Sequence, residues 1–229
     1  MLKQIADGLS RVWKPRKTHE PFYRGDKAEV SINEGILACQ ESGNVTFLDW
    51  DSGDVIGKLL ESIEDEDESI EAVSCFCLHP NNEEIVVATK SNLLRHFDVK
   101  EKKCIRVFKG HLMPVLAMDY DNTGTLVVTG SADRTVRVWD IPRGYCTHSF
   151  RDHSDIVHCV KFHPDPRRLQ VFSSSADLSV KVYNLTDQSS SSKCSFDEHA
   201  SMPTALAVSP KGNILASCGR DKVNIKRYH

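Results

Sequence analysis

One short pattern recurs along the chain at a fixed spacing. It occurs three times, as Ser-Ala-Asp-Arg-Thr-Val-Arg-Val-Trp-Asp at 131–140, Ser-Ala-Asp-Leu-Ser-Val-Lys-Val-Tyr-Asn at 175–184 and Cys-Gly-Arg-Asp-Lys at 218–222. Asp133, Asp177 and Asp221 are therefore 44 residues apart, twice. A repeat of about 40 to 45 residues with a terminal aromatic and acidic pair predicts a four-stranded propeller blade. Because one blade cannot bury its faces alone, it must stack on neighbouring blades, and such stacks form binding surfaces.

Composition places the chain among ordinary globular proteins. Of its 229 residues 40% are hydrophobic and 27% are charged, which suits a sizeable core. The net charge of -3 provides no overall field that would favour nucleic acid or a membrane surface. The apolar runs are far shorter than the roughly 18 residues that a membrane helix needs. We therefore expect no membrane partner and no small-molecule substrate.

Two segments carry concentrated charge. Residues 1–27 hold seven lysines and arginines against three acids, and residues 61–71 hold seven acids. The basic segment could be a targeting or RNA-contacting arm, but a solvated strap leading into the first strand is the favoured interpretation. The acidic run is expected to be an exposed loop between the first two blades.

The eight cysteines do not read as a disulfide framework. Five of them lie inside apolar, strand-like runs, namely Cys39, Cys75, Cys77, Cys159 and Cys218. Without a secretory leader these are interpreted as small buried hydrophobes in a reducing compartment. Cys75-x-Cys77-x-His79 could share one strand face as a metal site, but no second cluster has a finger-like spacing. Core packing is favoured, and we expect neither metal nor cofactor.

Two-residue alternation and turn residues divide the chain after the strap into blades. In the clearest copy the predicted strands are 114–120, 125–131, 135–140 and 145–150. The predicted blades cover about 28–62, 70–108, 111–150, 153–196 and 199–229. The fold class is therefore all-β, with four propeller blades and part of a fifth in an incomplete ring, as one domain at 28–229 after an arm and strap at 1–27.

Four polar residues of the clearest copy are predicted to form a buried hydrogen-bond relay: His111, Thr129, Asp133 and Trp139. The carboxylate would hold the imidazole, the imidazole would meet the hydroxyl, and the hydroxyl would meet the indole N–H. The second copy supplies His153, Ser173, Asp177 and Tyr183. The third supplies His199, Ser217 and Asp221, with Arg227 where an aromatic residue would be expected. We expect these residues to carry the fold rather than to bind partners.

The same residue types could also form a hydrolase triad. Such a triad would have to occur three times at a regular spacing, and none of the serines lies in a Gly-x-Ser-x-Gly elbow. The structural interpretation is therefore favoured, with no catalytic residue.

The last copy departs from the pattern in its final strand. The two better copies place valines three and five residues after the aspartate, at Val136 and Val138 in the first of them. The last copy has Asn224 and Lys226 at those spacings. This departure predicts that the final strand of the last copy does not form.

The sequence resembles the WD40 family through Gly110-His111, Asp133 and Trp139-Asp140, and the resembling blades cover about 28–229. A narrower resemblance, to a WD40 subunit of the UTP-B module of the small-subunit processome, rests on four segments: 20–28, 138–141, 162–166 and 217–222. Subunits of that kind have two tandem propellers and a helical C-terminal segment, so this chain would correspond to the N-terminal portion.

The narrower resemblance implies a non-catalytic scaffold of the nucleolus that acts in pre-18S rRNA processing and ribosome biogenesis. The implied partners are the other WD40 subunits of UTP-B and, indirectly, the U3 small nucleolar ribonucleoprotein and pre-rRNA. Two other functions stay open. A substrate receptor of a cullin-type ubiquitin ligase would carry Trp-Asp-x-Arg, whereas here Arg143 comes one place late. A propeller hydrolase would need a nucleophile elbow or metal cluster that the sequence does not show.

Overall fold

The computed structural model describes residues 27–31, 36–41, 43–49, 51–60, 72–187, 191–221 and 223–227. Most of the predicted basic arm and the acidic run at 61–71 lie outside the described residues. Every regular element among the described residues is a β-strand, and these residues include no helix that could cross a membrane.

The strands form five antiparallel sheets that follow one another along the chain. The first two sheets contain β1 (Ala28–Ser31), β2 (Ile36–Glu41), β3 (Asn44–Asp49), β4 (Val55–Lys58), β5 (Val73–Leu78), β6 (Glu84–Thr89), β7 (Leu94–Asp98) and β8 (Cys104–Phe108). The next two contain β9 (Val115–Tyr120), β10 (Leu126–Ser131), β11 (Val136–Asp140), β12 (Tyr145–Phe150), β13 (Val157–Phe162), β14 (Gln170–Ser175), β15 (Val180–Asn184) and β16 (Cys194–Phe196). The fifth contains β17 (Pro203–Val208), β18 (Ile214–Gly219) and β19 (Val223–Arg227).

Each sheet is an up-and-down meander in which strands pair in chain order. The first strands of successive sheets pack side by side, β5 against β9, β9 against β13 and β13 against β17. The described residues thus form four complete blades and one of three strands, an incomplete propeller ring. The expected all-β fold, with four blades and part of a fifth, is confirmed.

The core lies between the sheets rather than inside any one of them. On β10, Val127 packs between the second and third sheets, whereas Val128 packs between the third and fourth. On β6, Val86 packs between the second and third sheets, whereas Val87 packs between the first and second sheets. Successive side chains of a strand point to opposite faces, so a middle blade needs apolar residues on both. This requirement explains the continuous apolar runs of the second strands.

The last strand forms, and the prediction that it fails is wrong. Val223 pairs with Cys218, and Ile225 pairs with Ala216. Because Val223 follows Asp221 by two residues rather than three, the apolar positions come one residue earlier than in the better copies. A shift of one residue exchanges the two faces of a strand, so counting from the aspartate assigned the wrong residues.

The same shift corrects the position of the missing aromatic residue. Trp139 lies opposite Val127 in the third sheet. The equivalent residue of the fifth sheet is Lys226, which lies opposite Leu215, and not Arg227.

Histidines at the ends of first strands link neighbouring blades. His79 Nε2 lies 3.0 Å from the carbonyl oxygen of Gly124, and His163 Nε2 lies 3.0 Å from that of Gly212. Both glycines have positive φ, 73° and 69°. A Cβ on Gly124 would lie 2.0 Å from His79 Nε2, so the turn needs glycine for its backbone and for this close approach.

We expect Gly124→Ala to lower the free energy of unfolding by about 1 to 3 kcal/mol, because it strains the turn and displaces His79. Urea unfolding measures the change. Gly57→Ala is the matched control, since a Cβ there would come no closer than 3.5 Å to a neighbour. Equal stability of the two variants would contradict the role of His79.

Candidate functional site

The first relay joins four side chains of the third blade. His111 Nδ1 lies 2.8 Å from Asp133 Oδ2, and His111 Nε2 lies 2.7 Å from Thr129 Oγ1. Trp139 Nε1 donates to Thr129 Oγ1 at 2.9 Å. The indole can only donate, which frees the hydroxyl proton for Nε2, while Nδ1–H donates to the carboxylate. Each of the four side chains then has a hydrogen-bond partner, in the order Trp139, Thr129, His111, Asp133.

Asp133 is the most heavily bonded member of the relay. It also accepts the backbone N–H of Leu112 at 3.1 Å and both the N–H and the hydroxyl of Thr135, at 3.0 and 2.6 Å. Burial opposes its charge, but the hydrogen bonds from His111 and Thr135 outweigh burial and hold its pKa well below the usual range. The carboxylate therefore ties the loop before β9 to the turn between β10 and β11.

Gly110 makes room for the tryptophan. A Cβ at this position would lie 2.8 Å from Trp139 Cη2 and 2.7 Å from Arg137 Nη1. The indole also meets Phe108 edge to face, with ring centroids 5.9 Å apart. The second copy has Tyr183 in place of the tryptophan and Asp152 in place of the glycine. The Gly-His pair thus follows from the size of the indole.

The second relay repeats the polar contacts but not the aromatic one. His153 Nδ1 lies 2.8 Å from Asp177 Oδ2, and His153 Nε2 lies 2.7 Å from Ser173 Oγ. The hydroxyl of Tyr183 is buried without a hydrogen-bond partner among the described residues. Its ring instead stacks on Phe150, with centroids 4.2 Å apart and planes 24° apart. The structure therefore does not bring Tyr183 into the relay as a hydrogen-bonding member.

The charges of the second relay are set by burial and by the carboxylate. Burial lowers the pKa of His153 and outweighs the opposing effect of Asp177. Burial also opposes the charge of Asp177, but hydrogen bonds from Ser179 and His153 lower its pKa to about 2. A neutral imidazole thus meets an ionised carboxylate.

The third relay has the same core of three residues. His199 Nδ1 lies 3.1 Å from Asp221 Oδ1, and His199 Nε2 lies 2.7 Å from Ser217 Oγ. Asp221 also accepts the backbone N–H of Ala200 at 2.7 Å. Nothing is described of the side chains of 222–229, so this relay can be followed from Asp221 only as far as Ser217.

Sequence reasoning missed the second hydroxyl of each better relay. Thr135 and Ser179 each follow the aspartate by two residues, and each donates to it at 2.6 Å. The repeated Asp-x-Thr/Ser spacing was the available signal, because a hydroxyl two residues after Asp closes the turn. In the third copy Val223 stands at that spacing, in keeping with its shorter turn.

Sequence reasoning also missed two carboxylates that connect the first strand of one blade to the first strand of the next. Glu29 Oε2 accepts the backbone N–H of Leu78, and Asp119 Oδ2 accepts that of Phe162, both at 2.8 Å. Asp119 also pairs with Lys161. A single acid inside a strand pattern carries no signal for such a contact, since it depends on the neighbouring blade.

The arrangement of the relays is unsuited to nucleophilic catalysis. The side chains of Thr129 and Ser173 are fully buried, at 0% exposure, and each faces a histidine from inside a blade. A nucleophile needs a site beside it where the reacting atom can sit. Closed relays of this kind can set the register of a blade, and we propose that this is what they do.

The candidate metal-binding residues have other surroundings. Cys75 and Cys77 are buried free thiols whose pKa values are raised by burial, and His79 is directed at Gly124. No group of three potential metal ligands occurs among the residues that the structure describes.

Three segments of the chain match the family model of the WD domain, G-beta repeat: 102–140, 144–184 and 190–223. Each match begins near the fourth strand of one sheet and continues through strands of the next, for example β8 followed by β9 to β11. The repeat of the sequence is thus offset by one strand from the blade of the structure.

Comparison with curated proteins finds similarity along nearly the whole chain. The chain is 42% identical over 228 residues to Transducin beta-like protein 3 of Homo sapiens. The aligned segment covers 98% of this chain and 27% of that protein. The rat protein of that name is 41% identical over the same length. U3 small nucleolar RNA-associated protein 13 of Saccharomyces cerevisiae is 31% identical over 145 residues, 62% of this chain and 17% of that protein. The chain therefore spans little more than a quarter of the length of the first two proteins.

We expect Asp133→Ala to destabilise the third blade by about 1 to 3 kcal/mol or more, because it leaves a buried imidazole and turn amides without acceptors. Thermal melting of the variant measures the loss. Asp165→Ala is the control, since among the described residues its exposed carboxylate accepts only the local N–H of Arg167. An unchanged melting temperature for Asp133→Ala would refute the structural role of the relay.

The second relay predicts that stability falls with acid in two steps. The unfolded chain protonates His153 near pH 6.5, above the lowered pKa of the folded state, so stability declines below about pH 6.5. Asp177 adds a loss between about pH 4 and pH 2, because its pKa falls from 3.8 to about 2 on folding.

We expect His153→Gln to flatten the stability profile between pH 7.5 and pH 5, measured by urea unfolding at each pH. His158→Gln, which alters a histidine outside the relay, should keep the slope of the unmodified chain. An unchanged slope in His153→Gln would show that the burial of His153 does not drive the first step.

Proposed function

Because the chain belongs to the WD40 repeat family, we propose that it acts as a non-catalytic scaffold in ribosome biogenesis, through protein–protein contacts of its blade surfaces. The observation that carries this proposal is the similarity to Transducin beta-like protein 3, which extends over 98% of the chain rather than over single repeats. An alignment of 228 residues at 41% identity includes the segments that link the repeats as well as the repeats themselves.

The proposed place of action is the nucleolus, in the processing of pre-18S rRNA within the small-subunit processome. The name of the similar yeast protein associates that protein with the U3 small nucleolar RNA. The proposed direct partners are the other WD40 subunits of the UTP-B module. Contact with the U3 ribonucleoprotein and pre-rRNA would be indirect, since a net charge of -3 favours protein over nucleic acid surfaces.

The geometry supports a surface rather than a reaction site. The histidine, aspartate and hydroxyl groups that could do chemistry are bonded to one another inside the blades. Exposed apolar residues lie instead on loops and outer strands, for example Leu112 at 80%, Val55 at 58% and Ile56 at 59% exposure.

Affinity purification of the tagged chain from its own cells tests the proposal. We expect U3 RNA to be enriched at least tenfold over a spliceosomal RNA of similar abundance, together with other WD40 proteins of the processome. Ribonuclease treatment should leave the protein partners bound, because the proposed contacts are between proteins.

A matched control is the tagged chain carrying Asp133→Ala, which should lose partners in proportion to the loss of folded blade. Recovery of cullin and its adaptors without U3 RNA would replace the proposal with the ubiquitin-ligase alternative. Recovery of neither set would overturn the scaffold role.

A further inference from the structure

A cleft of about 320 Å³ opens between the third and fourth blades, beside the first and second relays. Arg134, Arg137 and Arg151 line it together with Leu112. Arg134 lies in the tight turn between β10 and β11 with a φ of 68°, and Arg151 lies in the loop after β12. Both are exposed, while Arg137 on β11 is half-buried. The cleft therefore has a basic lining contributed by three separate segments of the chain.

The positive charge of this lining is not neutralised from within. Among the described residues no carboxylate forms an ion pair with Arg134, Arg137 or Arg151. Asp133 is the one acid in the lining, and its oxygens already accept hydrogen bonds from His111, Leu112 and Thr135.

The other polar neighbours are also engaged elsewhere. His153 uses both ring nitrogens within its relay. Asp152, next to Arg151, accepts the backbone N–H of Ser192. Arg137 is partly engaged as well, because its Nε donates to Thr135 Oγ1 at 3.4 Å. Three arginines thus line the cleft with one saturated carboxylate beside them, which makes the lining net positive.

Comparison with the next cleft shows that the fold does not require these arginines. The positions equivalent to Arg134 and Arg151, counted from the relay residues, are Leu178 and Asp197. Lys181 stands in place of Arg137, and its ammonium is bonded to the carbonyl oxygen of Asp152 at 2.6 Å. The relay is repeated between the two blades, but the cluster of arginines is not. It therefore calls for an explanation other than blade stability.

We propose that this cleft binds a phosphorylated serine or threonine side chain of a partner polypeptide. A phosphate dianion offers several acceptor oxygens to guanidinium groups, which bind it in planar, bidentate geometry. A cleft of about 320 Å³ accommodates one such side chain. This inference goes beyond the scaffold function, because it specifies a chemical mark on the partner and one place that reads it.

The surroundings favour a peptide over nucleic acid. Among the described residues that line the cleft there is no phenylalanine, tyrosine or tryptophan, whereas single-stranded nucleic acids are usually held by stacking on such rings. Leu112, which is 80% exposed, provides an apolar surface in the lining instead. Apolar side chains beside the phosphorylated residue could pack there.

Direct binding tests the inference. The probe is a fluorescein-labelled peptide pool with one fixed phosphoserine and randomised flanks, compared by fluorescence anisotropy with the same pool carrying serine. We expect the phosphorylated pool to bind the full chain at least tenfold more tightly and to be displaced by inorganic phosphate. Equal affinities, or binding of neither pool, would overturn the proposal.

The double variant Arg134→Leu/Arg151→Gln should weaken phosphopeptide binding at least tenfold. Leucine already stands at the position equivalent to Arg134 in the next blade, so the turn tolerates it. The control is Arg167→Leu/Arg168→Gln, which removes the same charges from an exposed loop and should leave affinity within twofold. If the first double variant unfolds, Arg151→Gln alone is used, since Arg151 lies in an exposed loop.

A labelled single-stranded RNA decanucleotide forms the third arm. Binding of this RNA that is tighter than that of the phosphopeptide and is lost in Arg134→Leu/Arg151→Gln would assign the cleft to nucleic acid and overturn the peptide proposal. The binding experiment uses purified components, so it can refute the phosphopeptide site while U3 RNA still co-purifies with the chain. Equally, phosphopeptide binding can be observed while the co-purification of U3 RNA fails.

Discussion

Apolar packing between successive sheets is the interaction on which the rest of this structure depends. Each middle blade buries both of its faces, as the separation of Val127 and Val128 into two different clusters shows. Because no blade has a core of its own, the position of every loop is set by two neighbouring sheets. The clefts and rims that can meet partners are therefore properties of pairs of blades.

Polar contacts favour one register of the strands and blades within this packing. Apolar packing is non-directional, whereas the relay of His111, Thr129 and Asp133 has one geometry in which every donor and acceptor is satisfied. The links from His79 to Gly124 and from Asp119 to Phe162 do the same between blades. The cleft that we propose as a phosphopeptide site lies beside two of these relays, so the turn of Arg134 and the loop of Arg151 are well positioned.

The strands and the relay histidines could be predicted because they repeat. Alternation and turn residues located β9 to β12 to within one residue, and the spacing of His, Ser or Thr and Asp placed three relays whose polar contacts the structure brings together. Prediction was wrong where the repeat loses a residue: the turn after Asp221 is shorter, and the apolar positions of β19 shift to Val223 and Ile225. Tyr183 shows a second limit, since a shorter aromatic side chain stacks on Phe150 and leaves the hydrogen-bond chain.

The series of β-blades and the polar residues that recur inside them could be predicted from the amino-acid sequence, because both are local, periodic properties. Which residues meet across blades is visible only in the packed structure. Glu29 bonds to Leu78, and Arg134, Arg137 and Arg151 come to line one cleft, although no spacing in the sequence relates them. The physical reason is that such contacts depend on how one sheet is rotated and shifted against the next, and the packing of whole faces sets that relation.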